Sequence, residues 1–233
     1  MPETDPPRRL ELEHVLHDLP GMGSPYLATQ ATSIGVVDRY IESMEGELLK
    51  AYMVDERTPE WTILVVALSQ MWIFSLYELL RTWRQMANEL SKYAHDLETL
   101  NGAARVERIA RERERIEKVQ SHVSIPDRSY DACFEAVEKD PTFGQRVAAA
   151  VGSTDGVFRE VETLRVTMAK HEVPKTKGMR AQGAGYGRID LSSGSIYWMV
   201  VLKDGSSTII SRRSIADQLR GVDESEDGEG DER

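Results

Sequence analysis

The sequence is poor in cysteine, and this scarcity limits the kinds of site that the chain can build. Cys133 is the only cysteine among the 233 residues, which excludes a disulfide scaffold and any cysteine-clustered zinc or iron–sulfur site. The first residues, MPETDPPRRLELEH, lack the apolar core that marks a secretory signal. We therefore expect the chain to work in a reducing, cytoplasmic compartment.

The common catalytic signatures are absent as well. The sequence has no phosphate loop with Gly-Lys-Ser/Thr, no His-Glu-x-x-His and no Gly-x-Ser-x-Gly. The segment GAGYG at 183–187 follows no parallel strand and precedes no helix, so it does not indicate a dinucleotide site. His95 and His122 stand alone on charged helices. We expect no metal and no cofactor.

The net charge of −10 is concentrated in the two termini. Residues 222–233 carry seven acidic residues and one arginine, and residues 1–20 carry five acidic residues and two arginines. Residues 21–221 are therefore close to neutral, and a local basic site remains open. We predict that the Pro/Gly-rich segment 1–32 is mostly disordered, with a short helical piece around Leu10–Leu19, and that the tail 222–233 is disordered.

Apolar residues at helical spacing predict a bundle between residues 33 and 173. The spacing indicates an amphipathic helix over Ile34–Met53 on a stripe from Val37 to Tyr52. Thr58-Pro59-Glu60 then opens a long central helix with Thr58 as its N-cap. Its tryptophans, Trp61, Trp72 and Trp83, are spaced by eleven residues and so share one side of the helix.

The apolar run 61–80 is long enough to raise the alternative of a membrane span. Four polar residues interrupt it and no basic flank precedes it, which favours a helix buried in a bundle and no membrane. The four polar residues are Ser69, Gln70, Ser75 and Glu78.

The remaining helices follow clear break signals. Residues 103–120 predict a charged helix that is solvated and packs along one seam, with a coiled-coil arm or an RNA-facing helix as alternatives. Pro126-Asp127 starts a further helix, Asp140-Pro141 starts the next, and Pro174 ends the last one.

After residue 173 the periodicity changes from helix to strand. A basic, glycine-rich loop precedes three short strands, YGRIDL, SIYWMVV and STIIS, and a helix over 212–220. The predicted fold class is mainly α: an up-and-down helical bundle over 33–173, followed over 174–221 by a small C-terminal antiparallel β-meander and a short closing helix.

One segment, LRVTMAKHEVPK at 164–175, carries residue types suited to chemistry. Arg165 offers permanently charged donors, and His171, six residues later, can transfer a proton near neutral pH. The structural alternative is that Lys170 and His171 only complement the dipole of the helix end. On a straight helix the two side chains point about 120° apart and lie about 9 Å apart in rise. They meet only if the helix end bends, if Arg165 reaches across, or if a second protomer completes the site.

The bundle, the Arg-x5-His pair on a late helix and the Tyr77-Glu78 pair on a long earlier helix together resemble the HEPN superfamily. The resemblance covers roughly residues 34–173. It implies a helical homodimer, and in many members a metal-independent ribonuclease, with Arg165 and His171 as the catalytic pair. Two positions depart from the family pattern. Val166 stands where Asn, Asp or His is common, and Val173 replaces the tyrosine of the nucleotidylated toxin branch.

Cations surround this motif and predict contacts with an RNA backbone. They are Lys170, Lys175, Lys177, Arg180 and Arg188. Only Glu172 opposes them between Arg165 and Arg188, and phosphate contacts dominate the affinity for nucleic acid. The alternative to an RNA-binding role is that this basic, glycine-rich loop is only an exposed linker. The second function left open is a non-catalytic helical dimerisation module that binds an unidentified protein partner, which Val166 favours.

Overall fold

The computed structural model describes residues 10–55, 57–121, 128–170, 180–181, 187–201 and 207–221, except for the side chains of residues 141, 167, 169, 170, 180, 181 and 201. These residues form eight helices and four strands. The helices are α1 Leu12–His17, α2 Pro25–Asp55, α3 Thr62–Thr99, α4 Gly102–Gln120, α5 Arg128–Lys139, α6 Pro141–Ser153, α7 Asp155–Lys170 and α8 Arg212–Arg220. The strands are β1 Arg180–Ala181, β2 Arg188–Ile189, β3 Ile196–Val201 and β4 Ser207–Ser211. The predicted fold class, mainly α with a C-terminal antiparallel meander and a closing helix, is confirmed.

The chain divides into two compact units. Within the described residues, the first unit comprises 10–15, 32–78 and 156–221, and the second comprises 16–31 and 79–155. Both α2 and α3 therefore contribute residues to each unit. These units differ from the predicted segments 33–173 and 174–221, because the closing helix and the sheet share a unit with the first half of α3.

Within the segment 1–32, the short helix predicted around Leu10–Leu19 is present as α1, but residues 20–32, which we predicted to be disordered, also form a defined turn and the start of α2. Leu12, Leu16, Met22 and Leu27 are buried, and α1 and the start of α2 carry three of them. Proline and glycine serve as boundaries here: Gly21 adopts a φ of 88° in a turn, and Pro25 is the first residue of α2. Residues 1–9 and the predicted disordered tail 222–233 lie outside the described residues.

The buried seam of α2 is a regular alternation of four- and three-residue steps. It consists of Leu27, Ala31, Ile34, Asp38, Ile41, Glu45 and Leu48. Two of these seven positions carry carboxylates, which a seam of this kind normally excludes. Val37, from the predicted stripe, is only partly buried. The seam therefore overlaps the predicted stripe only in part and shares Ile41 and Leu48 with it.

The central helix α3 buries one face as predicted. Val65, Trp72, Leu76 and Trp83 are buried, whereas Trp61 precedes the helix and is 36% exposed. Residues 59–61 form a turn, so α3 begins at Thr62 and not at Pro59. Within the described part of the chain, α3 is the one helix long and apolar enough to span a membrane, and 44% of its most apolar window is buried.

Helix α4 packs along a seam, and its arginines form ion pairs with neighbouring helices. Arg108 lies 3.0 Å from Asp96, Arg113 lies 2.5 Å from Glu138, and Arg115 lies 3.2 Å from Glu89. All of these residues belong to the second unit. Of the alternatives that the sequence leaves open for residues 103–120, the arrangement matches a solvated helix packed along one seam.

The sheet is organised around β3. This strand pairs antiparallel with β4 over Tyr197–Val201, with β2 at its N-terminal end and with β1 at its C-terminal end. Strand β1 was not predicted, because it lies within the glycine-rich loop. The buried face of the sheet carries Ile196, Trp198, Val200 and Ile210. Helix α8 follows β4 directly and spans the predicted residues 212–220.

Candidate functional site

Arg165 lies at the edge of the buried face of α7. Val157, Val161 and Leu164 form that face and are buried, and the next residue along the chain is rotated by about 100° toward solvent. The Arg165 side chain is consequently 35% exposed. The helix thus holds a guanidinium at the protein surface, one turn and a half before its last residue.

The Arg165 guanidinium contacts two residues of α3. Its central carbon lies 5.1 Å from the centroid of the Tyr77 ring, within the range of a cation–π contact. Tyr77 is itself held by stacking on Phe158, with ring centroids 5.7 Å apart. The Arg165 Nη2 atom lies 3.7 Å from Glu78 Oε1, which is longer than a hydrogen bond. The ring orients the guanidinium at the surface, beside a carboxylate that holds it only loosely.

The other half of the predicted pair, His171, lies outside the described residues, as do Lys175 and Lys177. For Lys170 the structure describes the backbone alone, as the last residue of α7. The described part of α7 reaches Lys170, and the helix end predicted at Pro174 lies outside the described residues. Of the predicted catalytic pair, the structure describes Arg165 alone, and it places this residue against Tyr77 and Glu78, a contact that the sequence analysis did not predict.

Arg180 and Arg188 lie on the two short strands that flank β3. Arg188 pairs with Tyr197, and Arg180 pairs with Val201, four residues further along β3. The two register positions are about 13 Å apart along the strand. The Arg188 side chain is exposed, and Met199 and Ile209 are exposed on β3 and β4. The sheet thus presents the Arg188 side chain to solvent, together with the exposed apolar residues Met199 and Ile209.

The sequence analysis missed a buried charged network, formed by Asp38, Glu45, Arg212, Arg213 and Arg220. Arg212 donates to both carboxylate oxygens of Glu45, each at 2.9 Å, through Nε and Nη2. Its Nη1 donates to Asp38, which also accepts from Arg220 Nη2. Arg213 donates to Glu45 at 2.7 Å. The Asp38, Glu45 and Arg212 side chains are fully buried.

Burial and ion pairing act against each other in this network. Burial raises the pKa of Glu45, but the Arg212 and Arg213 guanidiniums together lower it by more. The pKa of Glu45 therefore lies below its ordinary value. For Asp38 burial outweighs Arg212 and Arg220, and the pKa lies above its ordinary value. Because each carboxylate already binds two guanidiniums, the network holds α8 on α2 and leaves no charge for a substrate. The sequence signal is the pair of acids in the α2 seam.

The second unit contains a groove of about 620 Å³ between α4 and α5. Ile116 and Phe134 supply its apolar part. Three of its lining carboxylates accept hydrogen bonds: Glu138 accepts from Arg113 and from the Tyr93 hydroxyl, Glu135 accepts from Lys139, and Asp131 accepts from Gln120. The groove is a mixed surface with paired charges, and it assembles no acid–base pair.

The described residues contain no group of three or more His, Cys, Asp or Glu side chains arranged to hold a metal ion. Comparisons of the chain with protein-family models, with curated proteins and with solved structures give no match. The function is therefore argued from the residues themselves.

Proposed function

We propose that the chain binds RNA at Arg165 and cleaves it without a metal ion, as a HEPN-like endoribonuclease. The observation that carries this proposal is the placement of Arg165. Its guanidinium rests on the Tyr77 ring and beside Glu78, the residue pair that is one of the three features of the resemblance. It lies on the last helix before His171, and it is 35% exposed.

Arg165 is better suited to bind a phosphate than the engaged arginines Arg212, Arg108 and Arg115. Arg212 is fully buried and makes hydrogen bonds to two carboxylates. Arg108 and Arg115 each form ion pairs with two carboxylates. Within the described residues, Arg165 has one ion pair, a loose one with Glu78 at 3.7 Å. A phosphate oxygen at hydrogen-bond distance would compete well with that contact, because charge-assisted hydrogen bonds are short and strong.

The chemistry follows from the two residue types. The 2′-OH attacks the adjacent phosphorus in line, the P–O5′ bond breaks, and a 2′,3′-cyclic phosphate and a 5′-OH result. An imidazole with a pKa near 6.5 can accept the hydroxyl proton or protonate the leaving oxygen, and we assign this role to His171. Arg165 then stabilises the extra negative charge on the phosphorane oxygens. Lys170, Lys175, Lys177, Arg180 and Arg188 are proposed to hold the RNA backbone.

The test is incubation of the purified chain with single-stranded and structured RNA in the presence of EDTA. We expect cleavage that survives the chelator and leaves cyclic phosphate ends. Arg165→Ala and His171→Ala should each lower the rate by about 100-fold or more. Arg146→Ala and His95→Ala are the matched controls, because both side chains are exposed and lie outside the site. Equal losses in the controls, or cleavage that EDTA abolishes, would contradict the proposal.

A non-catalytic interaction module is the second candidate function. The observation that favours it is the exposed, uncharged side of α3, where Ile63 and Met71 are 77% and 62% exposed. RNA that stays intact with every substrate, together with a folded chain that forms an oligomer or captures a protein, would favour this function over cleavage.

A further inference from the structure

Helix α3 has an exposed apolar side in addition to its buried one. Residues 61–77 include no Asp, Glu, Lys or Arg. Val65, Ser69, Trp72 and Leu76 face the interior of the first unit and are buried. The opposite side exposes Ile63, Leu64, Ala67 and Met71, which are called the α3 face below.

The α3 face is a continuous row along the helix. Ile63, Ala67 and Met71 follow each other at intervals of four residues, so they lie on one side and span about 12 Å. Leu64 adjoins Ile63, and Met53 and Val54, near the end of α2, are 70% and 80% exposed. Single exposed apolar residues are ordinary, but a contiguous apolar row on a soluble surface indicates a binding surface.

We propose that a second copy of this chain covers the α3 face in a two-fold symmetric contact. In such a contact a residue on the axis meets itself, and its neighbours meet in reciprocal pairs. The α3 face has the small residue Ala67 at its centre and a large residue four positions away on each side. An antiparallel crossing at Ala67 places Ile63 of one protomer against the partner's Met71. The absence of charge means that self-contact buries no like-charged pair.

The surroundings of the α3 face favour a protein partner over a lipid surface or RNA. The preceding segment 50–60 carries two basic residues, Lys50 and Arg57, and three acidic ones, Asp55, Glu56 and Glu60. Helices that bind anionic lipid surfaces carry clusters of Lys and Arg instead. RNA requires cations, and residues 61–77 supply none.

This contact is independent of the proposed RNA cleavage. Glu78, which marks the Arg165 site, lies eleven residues from Ala67, so a crossing at Ala67 separates the two Glu78 residues by about 33 Å along α3. Each site then stays within one protomer, unlike the facing pairs that the resemblance implies. A single helix face is smaller than a standard interface of roughly 800 Å² per partner. We therefore expect a dimer with a dissociation constant of about 1–100 µM.

Sedimentation velocity over about 1–200 µM protein, a range set by that expected affinity, is the first measurement. The natural chain should shift from monomer to dimer, and Met71→Glu should weaken the dimer by about 100-fold or more. Ile209→Glu is the matched control, because Ile209 and Met71 are both 62% exposed and Ile209 lies on β4. It should dimerise like the natural chain. Circular dichroism establishes that each variant is folded.

Mixing experiments separate the interface from an effect on folding. Ala67→Lys and Ala67→Asp should each be monomeric alone and should form a heterodimer when mixed, because Ala67 faces the partner's Ala67. In a Cys133→Ser background, an Ile63→Cys chain mixed with a Met71→Cys chain should form an intermolecular disulfide under mild oxidation. RNA cleavage should be unchanged in Met71→Glu, so the two proposals fail separately.

Three results would overturn the proposal. The first is a natural chain that stays monomeric at the highest concentration. The second is a dimer that persists in both Met71→Glu and Ala67→Lys, which would place the interface elsewhere. The third is a monomer that floats with vesicles of phosphatidylcholine and phosphatidylglycerol and loses this binding in Met71→Glu, which would assign the α3 face to lipid.

Discussion

Replacement of Arg212 by alanine tests whether the buried charged network holds the closing helix in place. Arg212 is fully buried, as are its partners Asp38 and Glu45. Alanine removes two hydrogen bonds of 2.9 Å to Glu45 and one to Asp38. It leaves two carboxylates beside the volume that the guanidinium occupied, where neither water nor protein neutralises them fully.

The expected loss follows from what each carboxylate retains. Removal of one partner from a buried ion pair costs about 3–5 kcal/mol, because an uncompensated charge stays buried. Glu45 keeps Arg213 at 2.7 Å, and Asp38 keeps Arg220. We therefore expect a loss near the lower limit, about 3 kcal/mol. A domain of ordinary stability, about 5–15 kcal/mol, remains folded after such a loss.

Urea unfolding followed by tryptophan fluorescence measures this loss. Trp72 is a direct reporter, because its ring centroid lies 5.6 Å from the central guanidinium carbon of Arg212. Arg39→Ala is the control in the same unit: Arg39 is 45% exposed and pairs with Glu11 at 2.8 Å. It should cost less than about 1 kcal/mol. Adding Glu45→Gln to Arg212→Ala should recover part of the loss, because it removes one buried charge.

The reasoning would be refuted if Arg212→Ala cost no more than Arg39→Ala. It would also be refuted if Glu45→Gln destabilised the Arg212→Ala variant by as much as it destabilises the natural chain. That result would show that the Glu45 charge is well solvated, and that the network contributes no more than surface ion pairs do.

Two further predictions concern Tyr130 and Gly194. Burial and the hydrogen bond to Glu89 raise the pKa of Tyr130 to about 12, so its contribution to stability is complete below pH 10 and is lost as the pH rises from about 10 through 12. Tyr130→Phe should therefore flatten this alkaline decline in urea midpoints, and an unchanged decline would contradict the contact. Gly194 has a φ of 74°, and a Cβ there would overlap the carbonyl oxygen of Glu45; Gly194→Ala should cost about 2 kcal/mol or more in thermal or urea unfolding.

The order of helices and strands could be read from the sequence wherever local signals mark the boundaries. Asp140 caps α6 by accepting from the Thr142 backbone N–H at 2.9 Å, directly before Pro141. Ser211 and Ser214 form the capping box that starts α8. These signals act between residues a few positions apart, so no knowledge of the fold is needed to interpret them.

The start of α2 was harder to predict, because proline and glycine mark both disordered segments and helix boundaries. The content of Pro20, Gly21, Gly23 and Pro25 indicates disorder when it is taken as composition. In the fold, Trp83 donates a 2.9 Å hydrogen bond to the Pro20 carbonyl and orders this turn. The contact joins residues 63 positions apart, which lies beyond any local pattern.

For the candidate site, too, the sequence indicates a residue and the fold decides its contacts. Arg165 could be selected from the sequence through its spacing to His171 and through the resemblance. Its contact with Tyr77 and Glu78 joins residues more than 85 positions apart, and the packing of α7 against α3 decides it. The exposure of Met71 likewise depends on which side of α3 meets the interior.

The sequence by itself determined the mainly helical class, most element boundaries and the concentration of acidity at the termini, because these follow from residue type and short-range spacing. Only the tertiary structure decided the fate of the charges on α2. Asp38 and Glu45 would be solvated on an isolated helix. In the fold they are buried together with Arg212, which lies more than 165 residues later in the chain. A carboxylate can enter an apolar interior only when a cation accompanies it, and the chain's path through space places that cation there.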